Sequence, residues 1–126
     1  MFLIDTNIFL EILLSQNKKD DCKSFLENNI EKLNIADFTL HSIGVILFRY
    51  GKDDVFQKFI EDILPHVKVL SLQTEFYKEI SGFRKNFNLD FDDVYQYAVC
   101  KCYNLQLVTM DKDFERVKDY IGISFL

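Results

Sequence analysis

Short apolar runs that recur between stretches of helical periodicity constrain this chain more than any other feature it carries. Residues 1 to 4, Asn34 to Phe38, Val67 to Leu70, Leu105 to Thr109 and Ile121 to Phe125 read as buried strands, each short and bounded by helix or turn signals. Between them the apolar positions fall three and four apart. Ile8 to Leu14 forms a first helical segment; Cys22, Phe25, Leu26, Ile30 and Leu33 carry a second from Asp20; Leu40, Ile43, Leu47 and Tyr50 carry a third, stopped by Gly51. Val55, Phe56, Phe59, Ile60 and Ile63 mark a fourth, closed by Pro65. Thr74 to Phe87, a segment beginning at Asp92 or Asp93, and a short one over Asp113 to Lys118 complete the set. Strands joined through helices pair in parallel by right-handed crossovers. The expectation is an α/β chain folded as a three-layer α/β/α sandwich around a central, mostly parallel sheet, in a single domain over 1–126.

Such a sheet binds ligands beyond the carboxyl ends of its strands, and two of the apolar runs deliver an aspartate there. Phe2-Leu3-Ile4 leads into Asp5, and Leu107-Val108-Thr109-Met110 into Asp111. The doubled Asp92-Asp93 opens a helix between them, and Asp113 follows closely. Taken singly, each is an ordinary helix N-cap. Taken together, clustered carboxylates repel one another and suffer desolvation, so a site that gathers several calls for a divalent cation. Oxygen-only ligands suit Mg2+ or Mn2+, and without H-x-x-x-H or paired cysteines the pattern argues against zinc. A hard cation of this kind serves phosphodiester hydrolysis without a serine, cysteine or histidine nucleophile.

The remaining features exclude more than they assign. A net charge of −5 does not favour nucleic-acid binding through a broad basic face, so cations must be local; Lys18, Lys19, Arg84, Lys85, Lys112 and Arg116 are the candidates. Cys22, Cys100 and Cys102 read as small buried thiols, and His41 and His66 form no triad. The longest apolar stretch, Ile43 to Phe48, falls far short of the roughly 20 residues that span a bilayer. The expected setting is cytoplasmic, with no membrane partner.

Three segments then carry a resemblance: Phe2-Leu3-Ile4-Asp5-Thr6-Asn7, Asp92-Asp93-Val94-Tyr95-Gln96-Tyr97-Ala98, and Leu107-Val108-Thr109-Met110-Asp111-Lys112-Asp113-Phe114. In these, and over nearly its whole length, the chain resembles a PIN domain, in particular the short VapC-type toxin nucleases of type II toxin-antitoxin pairs. The resemblance implies a metal-dependent endoribonuclease in which Asp5, Asp93 and Asp111 are the catalytic metal ligands, with Asp113 nearby. Thr6, Asn7, Asp92 and Thr109 become supporting or substrate-side groups. It also implies an RNA substrate and a small antitoxin protein as partner, while the 13 phenylalanines, mostly core, leave room for a homodimer patch. The chain departs from the family in one place: Thr39 to Gly51 contains no acidic residue, where the family carries a glutamate near Gly44 or Val45. Glu11, His41 and Ser42 are the candidate replacements. The alternative function is therefore a catalytically weakened or inactive PIN-like domain that binds RNA or a protein partner. A third reading, Asp5 as a phosphoryl acceptor, ranks low because Asn7 stands where such enzymes need a second aspartate.

Overall fold

A computed structural model describes residues 1–126. Strands β1 (Phe2–Ile4), β2 (Leu33–Ala36), β3 (Lys68–Leu70), β4 (Gln106–Thr109) and β5 (Ile123–Phe125) form one sheet in the order β3-β2-β1-β4-β5, every neighbouring pair parallel. Helices α1 (Thr6–Leu13), α2 (Lys19–Asn28), α3 (Asp37–Arg49), α4 (Asp53–Asp62), α5 (Ile80–Phe87) and α6 (Phe91–Tyr103) cover it on both faces.

The central strands are buried on both sides, so adjacent residues feed opposite cores. Ile4 and Val108 join Ile8, Phe9, Cys22, Leu26, Ile43, Leu47 and Phe59 beneath α1 to α4. Leu3 and Leu107 join Leu89, Val94, Ala98, Val99 and Phe114 beneath α6 and the segment after β4. No helix is long and apolar enough to cross a membrane.

Several expected boundaries shift, each for a local reason. The second helix stops at Asn28, a 3-10 turn follows at Ile30–Lys32, and Leu33 opens β2 opposite Phe2. An apolar residue at helical spacing satisfies a buried strand equally well, so periodicity alone could not separate them. Strand β2 ends at Ala36, and Phe38 lies in α3, which begins at Asp37. Residues Thr74–Glu79 are a 3-10 segment leading into α5, and Lys112–Val117 is likewise 3-10 rather than α-helical. In that last segment the Asp111 carboxylate accepts from the Asp113 backbone N–H, tightening the turn before an α-helix can form. Gly51 ends the third helix as expected, with φ +65° in the left-handed region.

Chain order fixes where a site can lie. From β1 the chain steps outward through β2 and β3, then crosses to β4 on the other side of β1. The reversal opens a crevice at the carboxyl ends of β1 and β4, where Asp5 and Asp111 follow their strands.

Candidate active site

Asp5 lies just beyond β1 and is only 4% exposed. It occupies the N-cap position of α1 yet makes no side-chain cap bond. Both of its oxygens are held from within the protein instead: Gln96 Nε2 donates to Oδ1 at 2.9 Å and Thr109 Oγ1 donates to Oδ2 at 2.7 Å. Burial raises the Asp5 pKa, these two donors pull it back, and the Asp111 charge adds to the rise. The capping explanation therefore fails for Asp5.

Thr109, wholly buried at the end of β4, links this carboxylate to the next. Its Oγ1 accepts from the Asp111 backbone N–H at 3.0 Å, and Asp111 Oδ1 accepts from the Asp113 N–H at 2.9 Å. A continuous relay thus runs from Asp5 through Thr109 and Asp111 to Asp113. Asp113 is exposed and meets Arg116 at 3.5 Å.

Asp93 comes from the third position of α6, inside the helix rather than at its cap, which is Asp90. One carboxylate oxygen each from Asp93, Asp111 and Asp113 lies within 4.8 Å of the others. Asp90, Asp92 and Asp93 form a second, more exposed group of the same kind. Burial, then the charges of Asp92, Asp111 and Asp5, push Asp93 up to about 7. The convergence of Asp93, Asp111 and Asp113 is tight, whereas Asp5 stands beside them, coupled through charge and through Thr109.

The α3 side of the pocket is neutral. Gly44 faces the Phe56 ring, and Val45 is exposed on the outer surface between α3 and α4. His41 is exposed, Ser42 half-buried, and neither is hydrogen-bonded to the acidic group. Glu11 spends its carboxylate on the Lys18 backbone N–H at 2.8 Å. Asn7 is exposed at the start of α1, while Thr6 Oγ1 meets the buried Thr39 Oγ1 at 3.2 Å.

Because α3 begins two residues earlier than expected, it does carry one acid, Asp37. That carboxylate accepts from Tyr95 Oη at 2.7 Å, Ser71 Oγ at 2.9 Å and the Phe38 N–H at 2.8 Å. Partial burial raises its pKa, and these three donors more than reverse that, leaving it below the ordinary carboxylate value. It clamps α3 to α6 and to the segment after β3.

Gln96 is the residue that sequence reasoning passed over. It lies in the Asp92–Ala98 motif, but a polar residue on a helix gives no sign of facing inward when its neighbours Tyr95 and Tyr97 are buried too. Its Oε1 is buried with no hydrogen-bond partner, a group that calls for a donor such as a bound water. The oxygen-only donor set of Asp93, Asp111 and Asp113, with this unpaired oxygen nearby on α6, fits a hydrated hard cation.

The PIN domain family matches residues 2–120 of the chain. No curated protein sequence matches it. Among solved structures, a toxin-antitoxin complex from Klebsiella pneumoniae superposes with TM-score 0.78 at 21% identity, covering 98% of this chain and 96% of that one. VapBC2 from Rickettsia felis, bound to a DNA fragment from its promoter, gives TM-score 0.81 at 14% identity, with 98% and 97% covered. VapC20 from Mycobacterium tuberculosis, a sarcin-ricin loop cleaving toxin, gives 0.78 at 13% identity, with 91% and 93% covered.

Proposed function

The chain belongs to the PIN domain family, and from that premise we propose that it is a metal-dependent endoribonuclease hydrolysing RNA phosphodiester bonds, the toxin of a type II toxin-antitoxin pair. The observation that carries the reading is the meeting of Asp93, Asp111 and Asp113 within 4.8 Å, beside Asp5, at the reversal point of the sheet. Asp5, Asp93 and Asp111 hold Mg2+ or Mn2+, with Asp113 as a further oxygen. When bound, such an ion supplies charge stabilisation for the phosphodiester and a more acidic water.

The protein's own groups prepare that site. Thr109 and Gln96 fix the Asp5 carboxylate in one orientation and favour its charged form, a supporting task of the kind that tunes metal affinity. The backbone N–H of Asp113 orients Asp111 in turn. Asp92 is exposed beside Asp93, where an approaching substrate would meet it. The neighbouring structures were solved as toxin-antitoxin assemblies, which supports a small antitoxin as this chain's partner, with a basic group covering the carboxylates. A homodimer and a cytoplasmic setting belong to the same reading.

The absence of a carboxylate from the pocket side of α3 favours a second reading, an RNA-binding domain with weakened turnover. One experiment separates the two. Purified protein is incubated with mixed single-stranded and hairpin RNAs in manganese, in magnesium and in chelator, beside Asp5→Asn and Asp93→Asn. Metal-dependent cuts lost in both variants support the nuclease. Binding without cuts supports the second reading, and cleavage that persists in chelator or in either variant removes the first.

A further inference from the structure

Beside the acidic pocket, α5 and α6 enclose a cavity of about 350 Å³ lined by Ile80, Ser81, Arg84, Lys85, Phe91 and Val94. We infer that this cavity is a nucleotide subsite, in which an RNA base stacks on Phe91 while Arg84 and Lys85 neutralise an adjoining phosphate. The inference rests on the ribonuclease reading for its substrate, and it adds the place where the strand is gripped.

Phe91 opens α6 with half of its surface exposed (51%), so the outer part of its ring is open to a ligand. Its inner side is backed. The Tyr95 ring lies 6.2 Å away at an interplanar angle of 29°, and Phe38 lies 6.1 Å away. Tyr95 is itself pinned, donating to Asp37 at 2.7 Å and accepting from the Leu72 N–H at 3.0 Å. The exposed ring is therefore preorganised, which lowers the ordering cost of stacking a base on it.

Charge supports the same occupant. Of the six cations that stood out in the sequence, Lys18 donates to the Leu126 carbonyl, Lys112 covers the Phe125 ring, Arg116 is tied to Asn88 and Asp113, and Lys19 opens α2, unpaired but outside this cavity. Arg84 donates only to the Asn88 side-chain oxygen, and neither it nor Lys85 is ion-paired with a carboxylate. Two adjacent cations that share one cavity with an exposed ring favour a phosphate-bearing ligand over an acid-poor peptide. Phe91 and Val94 line the cavity on α6, while Asp93 is rotated from each of them by about 100° or more, and Phe91 and Asp93 are separated by only about 3 Å along the axis. Asp93 thus stands on the far side of α6 from Phe91, about 160° away, and a strand stacked at Phe91 reaches the carboxylates by passing around the first turn of α6.

The chain contains no tryptophan, so Phe91→Trp installs a single reporter at the platform. Titrating it with a short single-stranded oligoadenylate in chelator, which keeps the strand intact, should quench its emission saturably; an abasic strand of equal charge should not. Phe91→Leu, which keeps apolar bulk but not the aromatic face, should weaken binding measured by anisotropy about tenfold. Arg84→Gln with Lys85→Gln should reduce the salt slope of binding by about 0.7, the share of one phosphate on a single strand. Anisotropy that reports bound RNA without quenching, or an unchanged affinity in Phe91→Leu, overturns the subsite. The cleavage assay described above keeps the two ideas apart. Cuts without quenching remove the subsite alone, quenching without cuts removes the ribonuclease alone, and neither signal removes both.

Discussion

Replacing Thr109 with valine tests the organisation of the acidic site at its most connected point. The side chain is wholly buried, and valine matches its shape, so the change removes a hydroxyl and little else. That hydroxyl donates to Asp5 at 2.7 Å and accepts from the Asp111 N–H at 3.0 Å. Losing a hydrogen bond to a buried charge costs about 1.5–3 kcal/mol, and leaving the Asp111 amide without its acceptor adds about 1 kcal/mol. The sum, about 2–4 kcal/mol, lowers Tm by on the order of 10 °C for a domain of this size. Thr109→Ser keeps both bonds and forfeits one buried methyl, about 1 kcal/mol. Thermal and urea denaturation in chelator, at a pH above the Asp93 value of about 7, measure this difference. Calorimetric titration with manganese should show the valine variant about 10- to 100-fold weaker. A valine variant within about 0.5 kcal/mol of wild type, the range of a neutral surface change, with unchanged manganese affinity, would refute the relay.

Asp93 makes a pH prediction with a definite sign. Its carboxyl is raised from 3.8 to about 7, so the metal-free protein loses stability as pH rises from the lower value through the upper one, and Asp93→Asn should flatten that part of the stability profile. Over the same interval a cation competes with the proton, so manganese affinity in the wild type should climb by up to about tenfold per pH unit and level off above about 7; an affinity constant in pH would contradict the assignment. Gln96→Leu removes the donor to Asp5 together with the unpaired oxygen, and should weaken manganese binding about tenfold while destabilising the fold less than Thr109→Val, as denaturation and calorimetry on the same preparations would report. Tyr95→Phe strips Asp37 of one donor and leaves the Leu72 N–H unpaired, a loss of about 2 kcal/mol, with manganese affinity unchanged because Asp37 stands outside the acidic group. An altered affinity there would mean that the two carboxylate systems are coupled.

Much of this arrangement was legible because it depends on how apolar residues are spaced. Leu3 beside Ile4 and Leu107 beside Val108 can only be buried on both faces of a sheet, and helices between such strands force the parallel order that brings Asp5 and Asp111 to one edge. The resemblance to PIN domains rested on those strand-end motifs, and the family match covers them. What stayed hidden depends on side-chain direction. Capping and metal holding use the same residue at nearly the same place, and only the inward donors to Asp5 separate them. Gln96 and Thr39 are polar residues on buried helix faces, which no periodicity of apolar residues reveals. Asp37 was missed through a boundary: reading Phe38 as strand moved the start of α3 past the one acid it carries.

The neutral α3 side bears on how many ions the site can hold. Asp93, Asp111 and Asp113 converge, with Arg116 partly offsetting Asp113, and Asp5 contributes a further charge held by two donors. One divalent cation compensates most of that charge. A second would need carboxylates on the far side of Asp5, and those are committed elsewhere: Asp37 to Tyr95, Ser71 and the Phe38 N–H, and Glu11 to the Lys18 N–H. The groups facing that side are the Thr6 and Thr39 hydroxyls, bonded to each other, which repel no charge and attract no bare ion. Hydroxyls are also weaker ligands for a hard cation than carboxylates. Manganese titration should therefore give a single tight site per chain. Asp113→Asn should weaken that site, since it replaces one of the three converging carboxylates with a neutral amide, and Asp37→Asn should leave it as it is. Two tight sites of equal strength, or a site that survives loss of Asp113 but not of Asp37, would place the ion on the α3 side and undo this account of how the pocket is charged.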